Sequence, residues 1–164
     1  MNYFLPLYFI KIYDMRKNVF LMVCLCALSG CIDNEADPNA EIKECAIDFA
    51  EAYFNYDFKK AQRWVTPESV KWLQFAASNV SQEDIDLINE QEDEATVEVA
   101  EFEYVNDSVS VVTVEVQSFL QKDSIGKAGS MTDQATFRLT VVERDGKPRV
   151  RMEGLPRSER QNRD

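Results

Sequence analysis

The sequence predicts an α+β domain in which N-terminal helices pack on one face of a curved antiparallel four-stranded sheet, behind a signal segment. Three observations predict it. Apolar residues recur at spacings of three and four between Ile42 and Ala77, the period of helices. From Ala95 they alternate, the period of strands. Asp145-Gly146 then sits between two alternating stretches as a two-residue hairpin signal. Helices followed by a run of strands is the order of an α+β fold.

The segment ahead of the domain reads MRKNVFLMVCLCALSGC from Met15 to Cys31. Arg16 and Lys17 form a basic n-region, and 19–28 is an apolar run ten residues long. A membrane span needs about 20 apolar residues, so this pattern is a secretory signal. Leu28, Ser29, Gly30 and Cys31 resemble the lipobox of bacterial lipoproteins. That resemblance implies a diacylglycerol on the Cys31 thiol, cleavage before Cys31, and acylation of its new amino group. Two or more acyl chains anchor a protein stably where one does not. Residues 1–14 fit no such pattern, because Lys11 and Asp14 interrupt the apolar run and Pro6 breaks a helix. Met15 is therefore read as the true start.

Ile32 follows the lipobox Cys where enteric lipoproteins retained at the inner membrane carry Asp. The acidic cluster Asp33, Glu35, Asp37 is similar to the export signals of some surface lipoproteins. The expected location is the bacterial envelope, at the outer membrane and surface-exposed, with the membrane as a partner through the acyl chains. Residues 1–30 are thus the signal peptide and 31–37 the lipidated Cys with an acidic tether. The domain is 38–155, and 156–164 is a tail expected to be disordered, since it carries no apolar residue from Arg157 onward.

Charge and residue usage exclude several functions. Residues 1–30 carry three of the 18 basic residues and one of the 29 acids. The mature chain is left with 15 and 28, a net charge of −13. Phosphate binding needs clustered Lys and Arg, so no nucleic-acid partner is expected. There is no histidine, which removes Ser-His-Asp and Cys-His catalysis and imidazole zinc sites. Among the four cysteines, Cys24 and Cys26 leave with the signal and Cys31 carries lipid, so Cys45 remains alone and unpaired. On the apolar side of a helix it reads as a small buried hydrophobe.

The elements follow in order. Asp37 as N-cap and Pro38 in the first turn open a helix to about Tyr56, with Ile42, Cys45, Phe49, Ala52, Tyr53 and Tyr56 on one face. Asp57 caps a short second helix over 58–65, and Thr66-Pro67-Glu68 restarts a third that turns Val70, Leu73, Ala76 and Ala77 inward. Ser81 starts a short acidic helix to about Asn89; it lacks the D-x-D-x-D-G spacing of a calcium loop, so Asp84 reads as part of a solvated face and no metal is expected. Val97 and Val99 alternate, then Phe102 and Tyr104 continue one step out of phase, which places a bulge near Ala100. A valine-rich strand spans 109–120, a loop 122–132, a strand runs through Ala135, Phe137, Leu139 and Val141, and a short edge strand covers 149–154.

The run AEAYFNYDFKKAQRWVTPES resembles the helical start of the cone-shaped nuclear-transport-factor-two-like, or cystatin-like, domains. Its matching positions are Ala50 to Phe54, Asp57, Phe58, Ala61, Val65, Thr66 and Pro67. The resemblance implies a cone that holds a small ligand or a peptide in its mouth, or pairs as a homodimer through its sheet; the expected partner besides the membrane is an envelope protein or a small ligand. It implies alternatively an enzyme like ketosteroid isomerases and polyketide cyclases, with an Asp base and a Tyr donor inside the cone. Strand phase argues against the second: Glu98, Glu101, Glu103 and Glu115 all oppose the apolar phase. No catalytic residue and no cofactor are expected, and the protein is read as non-enzymatic. Tyr53, Tyr56, Phe102, Tyr104 and Phe137 are expected to line one apolar space between helices and sheet.

Overall fold

The computed structural model describes residues 37–91, 93–122 and 126–159. The stretch read as a signal peptide, and with it Leu28, Ser29, Gly30 and Cys31, lies outside them. The architecture is α+β: helices on one face of a four-stranded antiparallel meander in the order β1-β2-β3-β4.

Helix α1 (Ala40–Phe54) lies across the sheet and buries Cys45, Ala46, Phe49, Ala50, Ala52 and Phe54. The buried arc is wider than the predicted stripe because Ala46 and Ala50, fully covered, let the helix approach the strands closely. Its start differs from the expectation. The N-cap is Asn39, which makes no side-chain cap bond, while Asp37 braces the turn before it by accepting from the Asn39 N–H at 2.9 Å and pairing with Lys43 at 2.6 Å. The helix ends at Phe54, two residues before the expected Tyr56. There Asn55 turns its amide back onto Ala95, donating to its carbonyl at 3.0 Å and accepting from its N–H at 2.8 Å.

Asp57 does cap α2 (Phe58–Ala61), accepting from the Lys60 N–H at 2.9 Å. The Thr-Pro turn works differently from a helix cap. The Thr66 N–H donates to Val150 carbonyl at 3.0 Å, and Ser69 Oγ accepts from the Met152 N–H at 2.9 Å. The segment thereby covers the open edge of β4, a place where unpaired backbone groups would otherwise invite association. Helices α3 (Val70–Ser78) and α4 (Gln82–Glu90) follow, the second opened by a reciprocal Ser81–Asp84 capping box.

Strand β1 (Thr96–Asn106) carries the bulge at Ala100, seen as a register shift against β2 between Val99 and Glu101; a second shift falls at Val105. Strand β2 (Val109–Gln121) points Val112, Val114 and Val116 at α1. Ser118, at φ 53, then changes the phase so that Phe119 and Leu120 are both buried. Strand β3 (Ser130–Arg144) begins inside the predicted loop, because Ser130 to Thr132 pair with Gln121 to Phe119. The hairpin to β4 (Lys147–Arg151) turns on Asp145 (φ 53) and Gly146 (φ 71), the two positive dihedrals a type I′ turn requires.

The expected disordered tail is corrected at its first residues. Ser158 is 2% exposed and bridges Phe137, and the Glu159 N–H donates to Thr136 carbonyl at 3.1 Å. This segment covers the part of the β3 edge that β4 is too short to reach.

Candidate functional site

Of the five aromatics expected around one space, Phe137, Tyr53 and Phe102 pack in or against one core cluster, while Tyr56 and Tyr104 lie outside it. Phe137 is in the core, where it forms a triangle with Phe54 (centroids 4.5 Å apart) and Phe119 (5.6 Å), with Phe54 and Phe119 at 5.1 Å. Tyr53 sits beside that triangle against Phe49, Phe54 and Phe58. Phe102 and Tyr104 pack edge to face at 4.8 Å at the opposite end of α1. Tyr104 does not line an apolar space: it is 60% exposed, and its hydroxyl bonds Asn39 Oδ1. It shares the inward phase of Phe102 but lies past the first turn of the helix that would cover it. Tyr56 alone borders an open cleft.

That cleft, about 280 Å³, lies among Tyr56, Phe58, the α3 end at Ala77 and Val80, and the α4 residues Ile85, Ile88 and Asn89. Tyr56 reaches it through a left-handed backbone (φ 61), uncommon for a bulky residue. The conformation lets the ring meet Phe58 at 5.6 Å while the hydroxyl donates to Leu120 carbonyl at 3.1 Å. Burial pushes the hydroxyls of Tyr53 and Tyr56 up from the usual tyrosine range; at Tyr56 the negative charge of Asp84 adds to it. Both phenols therefore stay protonated near neutrality.

Asp84 also differs from the sequence expectation. It is fully buried rather than part of a solvated face. Its carboxylate accepts from the Ser81 N–H at 2.7 Å, the Gly129 N–H at 2.7 Å and the Lys122 ammonium, which also donates to Asn79 carbonyl at 2.8 Å. Burial alone would raise its pKa, but the bonds from Lys122, the backbone N–H groups of Ser81 and Gly129, and the Ser81 side chain outweigh it. They hold the carboxyl well below the usual range. Gly129 is required there, since a Cβ would stand 2.8 Å from Gln121 carbonyl oxygen. The helix start at Ser81 is legible in the sequence; the donors Lys122 and Gly129, about 40 residues away, are not.

Cys45 is buried on α1 with its thiol directed at Trp64 carbonyl (3.9 Å). Burial pushes the thiol up to about 11, which leaves no appreciable thiolate near neutrality. The strand acids Glu98, Glu101 and Glu103 are exposed, with Glu103 paired to Arg138 at 3.2 Å. Among the described residues no group of three or more His, Cys, Asp or Glu could hold a metal ion, and no helix is long and apolar enough to cross a membrane.

Among the described residues the class these elements define is a small α+β domain with an aromatic-filled interior and an apolar cleft beside Tyr56. No family model and no curated protein matches the chain. Among solved structures it is similar to an NTF-2 like protein of unknown function from Shewanella oneidensis MR-1. The two are 12% identical over 70% of this chain and 94% of that one, with a TM-score of 0.48. It is also similar to an Ntf2 like protein involved in plasmid conjugation, 15% identical over 71% of this chain, with a TM-score of 0.29; the match spans 48% of that longer chain.

Proposed function

We propose that the protein is a lipid-anchored envelope lipoprotein whose α+β domain serves as a non-catalytic binding or interaction module. The observation that carries this reading is the triangle of Phe54, Phe119 and Phe137, which fills the space between α1 and the sheet where a cone would hold a ligand. Its partner is then met on the outside, as an envelope protein, a small ligand at the surface, or a second copy through the sheet. The lipobox at Leu28 to Cys31 supports the tether to the membrane.

A competing reading, a small-molecule cone with ketosteroid-isomerase-like or polyketide-cyclase-like activity, draws on the Tyr56 donor beside the apolar cleft. Such chemistry needs a carboxylate free to take a proton. Asp84, whose charge is felt at Tyr56, already accepts three hydrogen bonds and is held ionised by them. The test is titration of the detergent-solubilised protein with a planar steroid, followed by the fluorescence of Trp64 and Trp72. No saturable change is expected; one-to-one binding that Phe137→Ala strengthens would favour the enzyme-like cone.

A further inference from the structure

Helix α4 is held to the domain in a manner unlike the other helices. α1 buries six residues and α3 buries Leu73 and Ala76, all apolar or small, whereas the one residue α4 buries is Asp84. Its apolar side chains do not fill the core. Ile85 is 42% exposed and, with Ile88, forms one wall of the cleft whose other walls are Tyr56, Phe58, Ala77 and Val80. Polar bonds secure both ends. At the N-terminal end Asp84 binds Lys122 and the Gly129 N–H; just past the C-terminal end the Gln91 amide donates to Ser118 carbonyl. Both anchors are on or beside the last turn of β2, and Tyr56, on the facing wall, is fastened to the same stretch through Leu120.

Fully burying aliphatic side chains is the main stabiliser of a packed helix, and α4 has only part of that contribution, because Leu87 and Ile88 are half-buried and Ile85 is exposed. Elements with few buried apolar contacts open locally at free energies far below that of global unfolding. The polar attachment is nonetheless specific: three donors converge on one carboxylate, and one of them comes from a position where only glycine fits. We propose that α4 is a strap over the apolar cleft that opens as a unit while the rest of the domain stays folded, with the Asp84–Lys122 pair as its latch. Opening would bare the cleft walls at Tyr56, Phe58, Ala77 and Val80. The inference does not depend on the lipid anchor or on the absence of catalysis.

Hydrogen exchange of the full chain, read by mass spectrometry, tests it. In the unaltered protein the amides of 85–90 should exchange at least tenfold faster than those of 112–116 and 137–141. Lys122→Met should accelerate α4 by a further tenfold or more and leave the sheet unchanged. The same variant should raise the fluorescence of added 1-anilinonaphthalene-8-sulfonate several-fold under native conditions. Gln91→Ala, which frees the other end and leaves no buried charge unpaired, should act in the same direction and decides the matter if Lys122→Met does not fold. Equal exchange of α4 and the sheet, or acceleration of both alike in Gln91→Ala, would overturn the proposal.

Discussion

Lys122 and Asp84, 38 residues apart, form an ion pair in which the carboxylate has no solvent exposure and the ammonium has little. The pair joins the end of β2 to the first turn of α4, and through Asn79 carbonyl to the end of α3. A buried pair of this kind is expensive to break from one side only, because the remaining charge is left without a partner. Lys122 is thus a hub for three elements that share little apolar contact.

The pair makes stability depend on acid. Asp84 has its folded-state pKa depressed, so its contribution is complete above the unfolded value, near 4, and is lost as pH falls below that. Urea midpoints measured between pH 2 and 7 should show Asp84→Asn furthest below the unaltered protein at pH 5–7. The gap should narrow steadily below pH 4. A gap independent of pH would mean that Asp84 has the same pKa in the folded and the unfolded chain.

Truncating Phe137 to Ala should cost about 3–5 kcal/mol, the range for deleting a buried phenyl ring. The ring touches Phe54 and Phe119 and is 2% exposed, so no solvent can fill the space it leaves without cost. Chemical denaturation measures it directly. A loss under about 1 kcal/mol would mean an interior with room to hold a ligand.

Asn55→Ala should lower stability by about 1–3 kcal/mol through the unpaired backbone groups of Ala95. The side chain satisfies both the N–H and the carbonyl of Ala95 and thereby fixes the end of α1 to the start of β1. Asn55→Asp should recover the N–H bond and lose the other, giving an intermediate urea midpoint.

Cys45 should resist thiol reagents. With Cys24, Cys26 and Cys31 replaced by Ser, the folded protein at pH 8 should react with Ellman's reagent at least a hundredfold more slowly than in denaturant, since its thiol is covered and titrates near 11. Fast stoichiometric reaction without denaturant would contradict this.

Replacing Cys31 with Ala should abolish incorporation of radiolabelled palmitate and move the protein from the membrane to the soluble fraction. Persistent labelling would place the lipid elsewhere and remove the lipobox reading.

What the sequence by itself determined is the set of local features. Element order, the Asp57 and Ser81 caps, the bulge at Ala100 and the Asp145-Gly146 hairpin all appear in the structure where the residues place them. Each is local: the caps join side chains to N–H groups three residues on, the bulge follows a slip of the apolar phase, and the hairpin follows two residues at positive φ, so spacing encodes them. Tertiary structure decided the rest. Tyr104 keeps the inward phase that alternation gives it, yet it is exposed because α1 begins too far along to cover it. Ser158 and Glu159 carry no apolar signal and are ordered because the β3 edge beyond β4 offers them backbone partners. Asp84 reads as a solvated acid until Lys122 and Gly129 arrive from across the fold. Its burial is favourable only when those donors are present together, and their convergence is a property of the packed chain rather than of any stretch of it.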